Sequence, residues 1–333
     1  MSRFLESGDY LDEDDVRVRP NPRGSKPRTK RRPNFDSAPL GMVLEVHLAR
    51  YRVLMDDGTE VIATLAKELR KEGAVTCDRV RLAGETSGER GALARIVKIE
   101  PRKTQLSRTN EESEAGEQTI VANADQLMIV MAAANPEPRS GLVDRYLVAA
   151  FHAGIEPILV MTKCDLADPA EFLAGFEGFN LKILKTQKDS PNLEQIRAML
   201  PGHTTVLVGH SGVGKTTLIN AIAPNFKRAT GEVNALTGKG KHTSSSAKAI
   251  PVEGGWIVDT PGIRTFGLSG IDAAGLLKGF ADLTEASEQC PRDCSHLASA
   301  PDCALDDLVS QGSLAQKRLD SFRRLVDSIG SVD

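Results

Sequence analysis

From Leu40 to about Arg102, hydrophobic and polar positions alternate in short, β-branched segments. GMVLEVHLARYRVLMDDGTEVIATL reads as three strands, the last two joined by a turn at Asp57-Gly58. DRVRLAG and LARIVKIEP add two more across a second turn region between Gly84 and Gly91. Five short strands in about 60 residues predict a small all-β barrel, with the OB-fold the leading candidate. Beyond Arg102 alternation gives way to continuous apolar runs. QLMIVMAAA (126–134), EPILVMTKCDL, HTTVLVGHS and GGWIVDTPG suit strands buried on both faces. SGLVDRYLVAAFHAG and TTLINAIAP between them have helical spacing, so the expected architecture is α/β with a doubly wound parallel sheet. Near the C-terminus, residues 313–329 place Leu314, Leu319, Phe322, Leu325, Val326 and Ile329 on or near one face of an amphipathic helix. That helix is expected to pack on the cysteine-rich stretch before it, with docking of a partner the alternative.

Length adds that 333 residues suffice for about two domains. A hydrophobic fraction of 40% suits a buried core, and no apolar run reaches the length of a membrane span. The opening MSRFLESGDYLDEDD is acidic and lacks an apolar centre, so neither a secretory signal nor a membrane partner is expected, and the cytoplasm is the expected location. The net charge of −3 conceals an asymmetry: residues 17–32 carry eight Arg and Lys and no acid, which leaves −11 for the rest of the chain. Pro20, Pro22, Pro27 and Pro33 exclude a regular helix there. An extended basic arm favours phosphate backbones through counterion release; a solvated tail is the alternative.

The chemistry concentrates in four places. Gly209, His210, Ser211, Gly212, Val213, Gly214, Lys215 and Thr216, followed by Thr217, match the phosphate-binding G-x-x-x-x-G-K-[ST] pattern between a strand and a helix. Glycines let backbone N–H groups approach phosphates, Lys215 is placed for the β- and γ-phosphates, and Thr216 for Mg²⁺. Asp259-Thr260-Pro261-Gly262 ends a buried strand, where Asp259 would serve the Mg²⁺ shell and the Gly262 N–H a γ-phosphate. Thr162-Lys163-Cys164-Asp165 fits the guanine-reading [NT]-K-x-D, in which the carboxylate accepts from the ring-edge N–H groups; adenine would leave Asp165 unpaired. Thr162 stands where Asn is commoner, and the base-contact loop, usually Ser-Ala, would be Lys185-Thr186-Gln187. The guanine motif precedes the phosphate loop, the order of a circularly permuted GTPase.

Cys290, Cys294, His296 and Cys303 offer three thiolates and one imidazole within 14 residues, a set suited to one structural tetrahedral Zn²⁺. Free buried thiols or a redox pair are the alternatives. Cys77 and Cys164 read as packing residues.

Together these motifs, with RKTQLSR (102–108), ANADQ (122–126), DRYLV (144–148), GKGKHTSSSA (238–247) and DTPGIRTFGL (259–268), resemble the small ribosomal subunit biogenesis GTPase family (RsgA, YjeQ-like) over residues 39–330. The resemblance implies an OB-fold, a permuted GTPase domain and a C-terminal zinc domain. It further implies GTP hydrolysis stimulated by the small ribosomal subunit, late in that subunit's maturation. The expected division is an arm at 1–38, a barrel at 39–102, a GTPase domain at 103–270 and a zinc-binding helical domain at 271–333. The family's usual cysteine spacing is C-x₄-C-x-H-x₅-C, and two loops here differ from it by one residue. Ile263 stands where many GTPases carry a water-orienting Gln. The resemblance gives a catalytic role to His242, for which an exposed loop histidine is the alternative. It makes Thr243, or alternatively Ser244, the switch residue on Mg²⁺. His47, His152 and His203 carry no motif. The expected partners are GTP and GDP and the small subunit with its rRNA, bound by a monomer. Two other classes stay open: an RNA-binding assembly factor whose hydrolysis is incidental, and a P-loop NTPase of relaxed base specificity.

Overall fold

The computed structural model describes residues 34–89, 91–109, 117–187, 192–226, 247–260, 266 and 271–330. The basic segment at 17–32, His242, Thr243, Ser244, Gly262 and Ile263 lie outside the described residues.

The alternating N-terminal stretch forms five strands: β1 (Leu40–His47), β2 (Arg50–Met55), β3 (Glu60–Leu65), β4 (Arg79–Gly84) and β5 (Ala94–Ile99). They run in the order β1-β2-β3-β5-β4, and β4 pairs back onto β1 to close the barrel. Every second residue points inward, so Val43, Val53, Val61, Val80, Leu82 and Ile96 fill the interior.

The chain next forms an antiparallel ribbon, β6 (Gln105–Thr109) and β7 (Glu117–Ala122), and then enters the α/β region. There follow β8 (Gln126–Ala132), α1 (Ser140–Ala153), β9 (Glu156–Thr162), α2 (Ala170–Ala174), β10 (Lys182–Lys185), α3 (Leu193–Ala198), β11 (Thr204–Val208) and α4 (Lys215–Ile222). The sheet is completed by β12 (Lys248–Val252) and β13 (Gly255–Asp259). The order β10-β9-β8-β11-β13 is parallel throughout. β12 lies antiparallel on β13 and meets β1 of the barrel at the Glu45–Lys248 pair, so one sheet runs through both regions.

Residues of β8 show how the two faces divide. Leu127, Ile129 and Met131 join the core under α1 and the C-terminal helices, whereas Met128, Val130 and Ala132 face α3 and α4. The four apolar runs form strands as expected. The sheet is not wholly parallel, because β12 is an antiparallel strand; its sequence, KAIPV, carries a proline and gives a weak strand signal.

Four helices follow: α5 (Ala273–Leu277), α6 (Ala281–Ser287), α7 (Ala304–Ser310) and α8 (Gln316–Gly330). The apolar stripe of α8 buries Leu319, Phe322 and Leu325. Its docking is broader than expected. Arg323 holds the cysteine-rich stretch through Asp306 (2.7 and 2.9 Å) and the His296 carbonyl (3.0 Å). On the other side Arg324 reaches Asp144 of α1 (2.9 Å) and lies over the rings of Phe176 and Phe179. Arg318 forks onto Asp282 (2.8 and 2.9 Å) above the Phe280 ring. The helix therefore joins the cysteine unit to the α/β core. Among the described residues no helix is long and apolar enough to cross a membrane.

Candidate nucleotide and metal sites

The phosphate-loop residues occupy the turn from β11 into α4, at the C-terminal end of a central parallel strand, where open α/β sheets bind ligands. Gly209 has φ +140°, and a Cβ there would run into the Val130 carbonyl. Gly214, at φ +95°, caps α4 in the left-handed region. Lys215 opens the helix and donates to the carbonyls of Gly209 and His210, the latter at 3.2 Å. Burial lowers its ammonium from the ordinary lysine value, and the nearby Asp259 carboxylate opposes that shift. Val213 is buried, Ser211, Gly212 and Thr217 are exposed, and Thr216 is half-buried in the first turn of α4. His210 turns Nδ1 onto the Ser211 carbonyl at 3.0 Å.

β13 lies beside β11, with Asp259 opposite Leu207 in register. Asp259 is buried at the strand end, and Thr260 hydroxyl donates to the Leu207 carbonyl at 2.7 Å, fixing the chain where it leaves the sheet. The Asp259 carboxylate, close enough for its charge to act on Lys215, and the Thr216 hydroxyl, in the first turn of α4, are hard oxygen donors of the kind Mg²⁺ takes.

The guanine motif sits across β8. Thr162 ends β9, and its hydroxyl donates to the carbonyls of Val213 (2.6 Å) and Met131 (3.2 Å). That hydroxyl thus ties the guanine motif directly to the phosphate loop. Lys163 has φ +57° and donates to the Asn135 carbonyl after β8. Asp165 is exposed. Thr186 is buried beside the motif: its N–H donates to the Met161 carbonyl (2.8 Å) and its carbonyl accepts from Cys164 N–H (3.2 Å). The structure therefore gathers Thr162–Asp165, Thr186, 209–217 and Asp259 at one edge of the sheet.

Sequence reasoning missed two residues of this region. Tyr146, in DRYLV on α1, is fully buried, and its ring meets that of Phe266 edge-on at 5.7 Å. Burial raises its phenol to about 12; the Gly209 amide faces it weakly, and among the described residues no partner meets its oxygen at full hydrogen-bonding geometry. Phe266 thereby anchors the chain shortly after the D-x-x-G motif. A lone Tyr on an apolar helix face offers no sequence signal for this.

At the C-terminal unit the ligand atoms of Cys290, Cys294, His296 and Cys303 all lie within 4.8 Å of one another. Cys290 Sγ is 3.5 Å from His296 Nδ1 and 4.0 Å from Cys303 Sγ. A tetrahedral zinc with bonds of about 2.3 Å to sulfur and about 2.0 Å to nitrogen sets such atoms about 3.5–3.8 Å apart, so the set fits that ion. Burial, then the Arg323 charge, holds the His296 imidazole below its ordinary value and so neutral and able to ligate. Asp293, His296 and Asp302 take positive φ (61°, 56° and 52°), so the chain turns tightly around the ligand set.

Comparison with known proteins agrees with this geometry. Residues 99–269 match the model of the RsgA GTPase family. The small ribosomal subunit biogenesis GTPase RsgA of Pseudomonas fluorescens (strain Pf0-1) is 37% identical over 243 residues, 70% of each chain. That of Pseudomonas syringae pv. tomato is 33% identical over 300 residues, 87% of this chain and 85% of the relative. The crystal structure of YjeQ from Thermotoga maritima superposes with a TM-score of 0.67 at 25% identity, covering 89% of this chain and 99% of that one. YloQ, a circularly permuted GTPase, shares the fold at a TM-score of 0.64 and 24% identity, over 90% of this chain and 98% of that chain.

Proposed function

From its membership of the RsgA GTPase family, to which this chain belongs as a GTP-hydrolysing P-loop enzyme, we propose that it binds the small ribosomal subunit, that the subunit stimulates its turnover, and that it acts late in the subunit's maturation. The observation that carries the nucleotide half is the Thr162–Val213 hydrogen bond, which sets the guanine motif and phosphate loop as one unit despite their permuted order. The ribosomal half draws support from the names of the relatives, the barrel, and the basic run at 17–32.

In this reading Lys215 and the amides of 209–216 hold the phosphates, and Asp165 reads guanine beside Thr186. Thr216, Thr243 and Asp259 hold Mg²⁺, which neutralises charge on the phosphates when bound. Gly262 donates to the γ-phosphate and His242 positions the attacking water, a task Ile263 lacks the hydrogen-bonding group to perform. Cys290, Cys294, His296 and Cys303 hold a structural Zn²⁺. The parts are an arm at 1–38, barrel at 39–102, GTPase domain at 103–270 and zinc domain at 271–333, working as a cytoplasmic monomer.

The test is hydrolysis of GTP, and of ATP in parallel, with and without small ribosomal subunits. Slow basal turnover, on the order of 10⁻⁴ to 10⁻² s⁻¹, raised by the subunit for GTP alone is the expected result. Turnover indifferent to the subunit, or equal use of ATP, overturns the proposal.

A further inference from the structure

The loop from Gly73 to Asp78, which enters β4, is held unusually firmly. The Asp78 side chain is 0% exposed; it accepts a two-pronged bond from Arg102 (2.8 Å twice) and a third from the Val75 N–H (2.7 Å). Arg102 also donates to the Gly73 carbonyl at 3.0 Å, and Asn123 to that of Cys77 at 3.0 Å. Held within this loop, Thr76 is 2% exposed. Its carbonyl accepts from the Ala122 N–H of β7 (3.0 Å), and its hydroxyl donates to the Ala247 carbonyl at 2.9 Å.

Ala247 is the residue directly after His242-Thr243-Ser244-Ser245-Ser246. The next residue, Lys248, pairs with Glu45 of the barrel on one side and with Asp259 on the other. The barrel therefore grips the chain at the point where it joins the strand partner of a candidate magnesium ligand.

We infer that Thr76 is a positioning residue for GTP hydrolysis, through which the barrel fixes the C-terminal anchor of the segment carrying His242 and Thr243. The inference rests on the reading above that this segment completes the site. Thr76 touches neither the phosphate loop nor the guanine motif, so it acts on the rate of the chemical step and leaves ground-state nucleotide binding alone. The hydrogen-bonded loop around it gives a displacement of the barrel, such as RNA contact would produce, a direct route to the hydrolytic segment.

The test uses the full chain with Thr76→Val, which keeps the shape and removes the donor, Thr76→Ser, which restores it, His242→Ala, and the Val and Ala changes combined. Zinc content and cooperative unfolding establish that each variant is folded; should Thr76→Val fail to fold, Thr76→Ala removes the same hydroxyl and is judged identically. Expected for Thr76→Val is a fall in kcat of about tenfold. KM for GTP and GDP affinity should stay within about twofold of the parent, with kcat recovered in Thr76→Ser. The combined variant should be no slower than His242→Ala alone. A folded Thr76→Val with kcat within about twofold of the parent, or losses that multiply in the combined variant, overturns the inference while leaving the segment's role intact. A His242→Ala variant with parental turnover overturns the underlying reading, and the inference with it.

Discussion

At the scale of single residues, the Thr162 hydroxyl carries the coupling between the two nucleotide motifs. Thr162→Val preserves shape but leaves the Val213 carbonyl without this donor in a buried setting, an expected loss of about 1–3 kcal/mol in chemical denaturation. GDP affinity should fall with it, since Val213 belongs to the phosphate loop; an unaltered midpoint with unaltered affinity would show that the hydroxyl is dispensable. Asp165 acts differently. Exposed at its turn and free to meet a base, it is expected to supply most of the preference for guanine. Asp165→Ala should lower GTP selectivity over ATP by about 10³ or more, measured as a ratio of kcat/KM values. The phosphate loop and guanine motif were legible because their chemistry lies in contiguous residues with fixed spacing. Thr76, Tyr146 and Phe266 were not, because their roles depend on partners such as Ala247 and each other that lie 171 residues away in one case.

At the scale of elements, α8 shows the same division. Its apolar stripe was readable from spacing, and Leu319, Phe322 and Leu325 are buried as that stripe requires. Its arginines bind acids 36, 17 and 180 residues distant at Asp282, Asp306 and Asp144, which no spacing in the helix announces. Charge at helical spacing says nothing about tertiary partners. Arg324→Ala would leave the buried Asp144 without its cation and uncover Phe176 and Phe179; a loss of about 2–3 kcal/mol in denaturant unfolding is expected, and no loss would mean the pair merely breaks even with its desolvation. For the cysteine unit, a strong chelator should remove about one zinc per chain and lower the melting midpoint, because ligand binding energy is folding energy in such units. Absence of stoichiometric metal in the purified chain would instead favour free thiols. Strands β10 and β12 escaped the sequence reading since KILK is only four residues long and KAIPV carries a proline.

At the scale of the whole molecule, several acids are tied to arginines across elements. Arg81, then Lys98, holds the Glu100 carboxyl below its ordinary value, and Arg318 does the same for Asp282. Carboxyls with depressed values stabilise the fold at neutral pH, and that contribution is lost as pH falls through their folded-state values. The denaturation midpoint should therefore hold steady from neutrality to about pH 5 and decline below about pH 4, a profile Glu100→Gln should flatten. Both pairs are partly solvated, so the effect should shrink in high salt.

The meeting of β12 with β1 has one more consequence. Sheet edges with free N–H and C=O groups recruit other strands, and β12 defends itself with Pro251 and with the barrel laid against its first residue. Cutting the chain after residue 102 would strip away that cover and leave the whole length of β12 as an open edge beside a large apolar core. A fragment beginning there is expected to self-associate, whereas the intact chain stays dispersed; light scattering of the two at equal concentration would tell. The barrel is thus also a guard against misassembly of the sheet it adjoins, and the GTP-binding half is poorly suited to stand alone.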